Sequence, residues 1–517
     1  MKLLLFLLFV TQANAASWYV DKSASGSNNG TSEANAWTAL SNIVYGSLSA
    51  GDTVFVKSGT YTEVVFDGVD STNIWYLNKS GSSGNPITFT TLDGPVFLNG
   101  NHNPNIRYGL QLGGSHLKID GGLSTNFHFI NCTNMQDRNL GIAVFNGGSG
   151  ITVTRIVVSN WNNGLLLSAG TTKEISSNRL VRISGDVAIG DNSTVQSFGN
   201  VRVFNNYIEC TVDAAHSGGA DGIKTFNGAD IFGNELRNLE DIGFPGSQHP
   251  DCVQFTACGN FTRIYRNRFY TFANAVFEFG YSAGCSNVWV SDNVISGLYD
   301  PRLDYAAHNA VEGSFDGTTS NSFWNICFVN NTFVDVGIMG LAWQKLSGIT
   351  VSNHPPITNF ITANNIFKNA GDRLGAFYQI GNYPNTNFTR GATQVYLGHN
   401  VVDPGVSGST NAFENFQHAT QAIFPQVHTI FSDPLFTSYT AFSNNVILTL
   451  TSSSPAIGAG TNLTALYSQF GISPVDYSGT ARPSVGAWDI GAYQFTQAGD
   501  YSSGARPNRL RGIRLNR

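Results

Sequence analysis

Charge is what this 517-residue chain has least of: Asp, Glu, Lys and Arg together make up 12% of it. The net charge is −6, and it becomes −12 for the body once Lys2 and the five arginines between Gly504 and Arg517 are set aside. An acidic body argues against nucleic acid as a partner, and it can accept a polyanionic substrate only through local cations or a metal. No Cys-x-x-Cys and no His-x-x-x-His spacing occurs, which speaks against a zinc site. Beyond the opening residues no apolar run approaches the roughly 20 that a membrane-crossing helix needs. These absences point to a chain without a membrane span, expected to act as a monomer.

The opening itself reads as a targeting segment. Met1-Lys2, an apolar run from Leu3 to Val10 and the small-x-small Ala13-Asn14-Ala15 predict a signal peptide over residues 1–15 and a secreted or extracellular-surface protein. In that setting the six cysteines, Cys132, Cys210, Cys252, Cys258, Cys285 and Cys327, are permitted to pair. Cys258 and Cys285 occupy matching turns and are the candidate pair, with stacked free thiols as the alternative.

Glycine is plentiful, 56 of 517 residues, and Asn and Ser punctuate short β-branched and aromatic runs, the pattern of many short strands. Seven of these runs end in a turn asparagine: Asn206, Asn234, Asn267, Asn293, Asn331, Asn365 and Asn400, at intervals of 28, 33, 26, 38, 34 and 35 residues. Intervals this uneven suit a solenoid whose coils carry loops of different length. The asparagines are expected to tolerate a sharp left-handed bend and to stack coil on coil, a structural role.

A second series carries the chemistry. Asp221-Gly222-Ile223-Lys224-Thr225, Asp251-Cys252-Val253-Gln254-Phe255, Ala275-Val276-Phe277-Glu278-Phe279 and Asn309-Ala310-Val311-Glu312-Gly313 read as copies of one strand. With Ile223, Val253, Phe277 and Val311 inward, alternation points Lys224, Gln254, Glu278 and Glu312 outward together. Coils about 4.8 Å apart would bring Asp221 and Asp251 within roughly 5 Å, with Glu278 on the next coil. Such a stack of carboxylates is costly unless a cation or a shared proton relieves it. His216, His249 and His308 precede these strands, and His249-Pro250-Asp251 sets an imidazole beside the acidic pair. The insertion Gly297 to Tyr305 is long enough to overhang the row, offering Arg302, Tyr299 and Tyr305 to a sugar.

At the near end, Ser32 to Ile43 spaces its apolar residues like one short amphipathic helix, a cap over the first coil. The expected organisation is a cap and first coils over 16–100, the solenoid over 101–410, closing coils and cap over 411–497, and a basic, disordered tail over 498–517. Attachment to an anionic surface is the other role open to that tail.

Trp18-Tyr19-Val20-Asp21, Gly51-Asp52-Thr53-Val54, Asp433-Pro434-Leu435-Phe436, Ser454 to Gly460 and Asp489 to Phe495 resemble motifs of secreted right-handed parallel β-helix proteins of the pectin-lyase-like superfamily. The resemblance covers residues 17–497 and implies an all-β, right-handed parallel β-helix with an N-terminal helical cap and a C-terminal capping segment. It also implies a carbohydrate-active protein, since that superfamily includes polysaccharide lyases, glycoside hydrolases, epimerases and adhesive surface proteins, and fold alone does not choose among them.

Two mechanisms suit the row. In a lyase, Ca²⁺ held by Asp221, Asp251 and Glu278 neutralises a uronate carboxylate; Lys224, His249 or Arg302 removes the C5 proton, and the glycosidic oxygen leaves by β-elimination. In a hydrolase, two of the carboxylates act as acid and base or nucleophile; a spacing near 5 Å would suit retention and one near 10 Å inversion. Gln254, Glu312, Tyr299 and Tyr305 are the candidate substrate contacts in either case. Asp221-Gly222-Ile223-Lys224 is similar to the ligand-bearing strand of pectate-lyase-like enzymes. The paired aspartates with Gly-His-Gly and Arg-x-Lys of polygalacturonases are absent, as is the Asp-Pro-His of alginate epimerases. The leading expectation is a lyase acting on a uronate-containing polysaccharide, with hydrolysis or plain glycan binding as alternatives.

Overall fold

The computed structural model describes residues 15–496, leaving aside 101–104, 131–138, 192–198, 211–219, 240–249, 256–260, 280–284, 298–308, 314–322, 337–356, 370–392, 404–425 and a few shorter stretches. Among the described residues the chain winds into three long sheets of 14, 13 and 10 strands. The first goes from Ser17–Val20 to Gln426–Val427, the second from Gly59–Tyr61 to Ile430–Phe431, the third from Val65–Phe66 to Asn309–Gly313. As far as Asn309–Gly313 successive coils add a strand to each sheet, beyond it the described strands belong to the first two, and pairing within the three is parallel except where Val65–Phe66 meets Thr72–Leu77. This is the parallel β-helix the repeats imply.

Inward side chains of all three sheets form one continuous core from Val20 to Val402. Phe255 stacks on Phe279 at 4.8 Å, and Phe277 meets Phe269 edge to face at 5.4 Å. Apolar surface removed from water in this way is the main drive to wind the chain.

The asparagine stack is present at every expected position. The Asn206 side-chain amide donates to Asn234 Oδ1 at 3.0 Å, Asn234 to Asn267 at 3.0 Å, and the ladder continues through Asn293, Asn331 and Asn365 to Asn400. Asn178 is a further rung below Asn206. The left-handed residue is not the ladder asparagine but the one before it: Ser177, Asn205, Gly233, Arg266, Asp292, Asn330, Asn364 and His399 have φ between 52° and 64°. The bend is made by the preceding residue, which frees the asparagine amide to satisfy buried backbone groups.

The helical cap is not what forms at the near end. Residues 32–43 carry a single 3-10 turn, Leu40–Asn42, followed by Tyr45–Ser47. Trp37 instead lies alongside the first strand: its N–H donates to Tyr19 O at 2.9 Å, its carbonyl accepts from Asp21 N at 2.8 Å, and its ring stacks on Trp18 at 5.3 Å. Pairing with an otherwise open edge satisfies more backbone groups than one isolated helical turn.

At the far end the chain turns back along the flank. Phe436, Leu448, Leu450 and Ile490 cover the outward side chains Val294, Val334, Ile366 and Val401 of the second sheet. Tyr467, Phe470 and Trp488 cover Trp289, Cys327 and Val329 of the first. Arg482, fully buried, anchors the return by donating to Asp292 Oδ1 at 2.7 Å and to the carbonyls of Asp489 and Gly491. Cys285 is disulfide-bonded while Cys210, Cys252 and Cys327 are free and buried; Cys132 and Cys258 lie outside the described residues.

Candidate active site

The register on the third sheet is the one the strand copies require: Ile223, Val253, Phe277 and Val311 pair in one column, Lys224, Gln254, Glu278 and Glu312 in the next. Strict alternation would send Asp221 inward with Ile223. It does not, because two consecutive residues face the core at each strand start. Ala188, Cys252 and Val276, in the column of Gly222, belong to the core cluster together with Ile189, Ile223, Val253 and Phe277. Glycine makes this double turn possible at 222, where a Cβ would lie 2.5 Å from Leu236 Cδ2 and 2.6 Å from the Cys252 carbonyl oxygen. The parity slips by one, and Asp221 and Lys224, three residues apart, share the outer face.

There they form one network. Lys224 Nζ lies 2.9 Å from Asp221 Oδ2 and 2.5 Å from Asp186 Oδ1. Asp251 N donates to Asp221 Oδ1 at 2.7 Å, and Asp251 Oδ1 in turn accepts from Ala275 N and Asn274 Nδ2, both at 2.9 Å. Gln254 Nε2 donates to Glu278 Oε2 at 2.5 Å, and Asp251 and Glu278 share a hydrogen bond between their carboxyl groups. Asn163 does two coils before Asp221 what the aspartates do here, its Oδ1 accepting from Val187 N at 2.9 Å. One oxygen of Asp221 and one of Asp251 are thus coil caps, leaving the other for the cluster.

The row is not the solvent-open trough that alternation alone suggests. Asp221, Asp251 and Glu278 are 4%, 0% and 1% exposed. Among these three and Lys224, the lysine alone has a side chain with more than a tenth of its surface in water, 16%. The reason is that the acids spend their oxygens on N–H groups of the coil wall and lie against it.

Burial governs the protonation states. It raises Asp221 to about 6, against the opposing pull of Lys224 and of the Asp251 N–H. Burial, then the hydrogen bond and charge of Glu278, push Asp251 well above the usual carboxylate range. Burial would lower Lys224, but the carboxylates of Asp221 and Asp186 outweigh it and raise the ammonium above its ordinary value. Lys224 is therefore a held cation.

This donor set does not fit Ca²⁺, which takes six to eight oxygens. The Lys224 ammonium, the Gln254 and Asn274 amides and two backbone N–H groups already occupy the inward oxygens of Asp221, Asp251 and Glu278. Among the described residues no three His, Cys, Asp or Glu side chains group as a cation site. Of the other expected residues, His249, Arg302, Tyr299 and Tyr305 lie outside the described residues, as do His216 and His308; Glu312 is placed by its backbone pairing alone. Asp186, Asn163 and Asn274 were not singled out from sequence. Asp186 sits 38 residues before Lys224, and only the pairing of Val187 with Asp221 brings it alongside.

Fold and cluster together define a parallel β-helix protein with a lysine held among carboxyl groups on its third sheet. No protein-family profile and no curated protein matches the chain. Among solved structures it is similar to a pectate lyase, Pel9A, at 16% identity over 94% of this chain and 97% of that one, with a TM-score of 0.45. It is similar also to a PL6 family alginate lyase, AlyGC, at 13% identity over 80% of this chain and 55% of that one, TM-score 0.46. A third is XylC in complex with xylose, at 11% identity over 93% and 98%, TM-score 0.43.

Proposed function

We propose that the protein cleaves a uronate-containing polysaccharide by β-elimination on the outer face of the third sheet. The observation that carries the reading is Lys224, a cation kept charged by Asp221 and Asp186, with part of its side chain in water. A uronate carboxylate paired with that ammonium loses electron density, which makes the neighbouring C5 proton more acidic. A base takes the proton, its electron pair closes the C4=C5 double bond, the C4–O4 bond breaks, and the departing oxygen takes a proton from water. Lys224 stays protonated and is not that base. His249, two residues before Asp251 in the chain, and Arg302 are the candidates, with Tyr299 and Tyr305 as sugar contacts. Asp221, Asp251, Gln254 and Glu278 act through Lys224 as positioning residues, and no step runs through a metal.

The hydrogen-bonded Asp251 and Glu278 favour hydrolysis as the second reading, since they set two carboxyl groups side by side with Asp251 pushed well above the usual carboxylate range. Purified protein incubated with pectate, alginate and neutral glycans separates the two. New ultraviolet absorbance from the C4=C5 bond, unchanged by EDTA and lost in Lys224→Met, is the expected result. Reducing ends without that absorbance mean hydrolysis, and activity that survives Lys224→Met places the chemistry elsewhere.

A further inference from the structure

We propose that Asp186 is a built-in stand-in for the substrate's carboxylate, an exposed anion that holds Lys224 until an acidic group displaces it. The uronate in this statement rests on the function proposed above; the displacement does not. The two carboxylates on Lys224 differ sharply: the Asp221 side chain is 6% exposed and that of Asp186 is 70% exposed. Asp221 is tied at its other oxygen to Asp251 N. Beyond Lys224, Asp186 is tied through its backbone, whose N–H donates to Asn163 Oδ1 at 2.9 Å and whose carbonyl accepts from Asp221 N at 3.1 Å. Its main chain is fixed while its carboxylate can swing into water at little cost, because exposed ion pairs contribute little.

Charge balance gives the reason for such a group. Asp186 and Asp221 already hold one ammonium between them, so a further carboxylate added beside them would be repelled. Exchange of the Asp186 carboxylate for an incoming one leaves the charge around Lys224 unchanged. The exposed acid thus occupies the water-facing side of a half-buried lysine when no ligand is present, and sets the affinity for anionic ligands by competing with them.

The test uses Asp186→Asn, which retains both backbone contacts. Lysines of the whole protein are reductively methylated with ¹³C, a change that preserves their charge, and the Lys224 signal is assigned by its loss in Lys224→Arg. Acetate and an oligouronide are then titrated at constant ionic strength. Both are expected to shift the signal at concentrations about two- to fivefold lower in Asp186→Asn than in wild type. Equal or higher concentrations in the variant overturn the proposal, as does failure of both probes to reach Lys224 in either protein. Acetate that discriminates the two proteins while the oligouronide moves neither supports the stand-in and removes the uronate reading. Glycan cleavage with identical titrations does the reverse.

Discussion

Substituting Asp221 by Asn isolates the cost of placing a carboxylate in the wall of the solenoid. Folded Asp221 titrates at about 6 against an ordinary 3.8. At about 1.4 kcal/mol per pH unit, that displacement corresponds to on the order of 3 kcal/mol. The sign follows from proton counting: between the two values the folded chain holds a proton that the unfolded chain has released. The contribution of this group is therefore greatest below 3.8, declines as pH rises towards 6 and is level above it. The amide oxygen of the Asp221→Asn variant can still accept the Asp251 N–H, as Asn163 accepts that of Val187. The amide NH₂ would face the Lys224 ammonium, but Lys224 stays charged throughout this range, so that penalty lowers the variant equally at every pH. Urea unfolding of both proteins from about pH 3.5 to 8 gives the measurement. Wild-type stability minus variant stability is expected to fall by on the order of 3 kcal/mol up to about pH 6 and then stay flat. A difference that stays flat refutes the reasoning. One that rises with pH does so more pointedly, because it means the Lys224 ion pair outweighs burial.

Two further substitutions probe the scaffold. Gly222→Ala puts a Cβ 2.6 Å from the Cys252 carbonyl oxygen, a backbone atom that cannot yield, and is expected to cost about 1–3 kcal/mol in thermal or urea unfolding. Arg482→Met leaves the buried Asp292 with the Tyr467 hydroxyl but no cation, and should cost about 3–5 kcal/mol. Arg482→Lys is not expected to recover that loss, since one ammonium cannot reach Asp292, Asp489 O and Gly491 O together.

The coil repeat was legible because it depends on local chemistry: an asparagine that stacks must recur once per coil, and apolar alternation must restart after it. The strand register was legible for the same reason, with inward Ile223, Val253, Phe277 and Val311 spaced by whole coils. The return of residues 433–495 along the flank depends on contacts far apart in the chain and was read only as an end cap. A signal for it existed in Ser286–Ser291, where Val288-Trp289-Val290 is apolar on both faces, as is Ile326-Cys327-Phe328 in the next coil. Strands buried on both sides read this way, and the covering partner is the C-terminal segment. The helix expected over 32–43 failed because apolar spacing says nothing about an open strand edge nearby, and Trp37 pairs with that edge.

The site was legible in its columns and misread in its exposure, and one physical fact explains both. Carboxylates at strand starts are well placed to cap the N–H of the next coil, as the Asn163 amide oxygen does without any charge. An aspartate used this way has its second oxygen left over, and in a wall with so few charges it must find a cation or a proton. Asp221 finds Lys224; Asp251, one coil on, finds Glu278 and is pushed well above the usual carboxylate range. The cluster is thus a consequence of how the coils are capped, and its burial follows from the same bonds. What the capping does not require is a lysine that reaches water and a second, exposed acid to hold it. A purely structural network would be complete with Asp221 and Lys224, so Asp186 is the part of the arrangement whose replacement most directly separates a site from a staple.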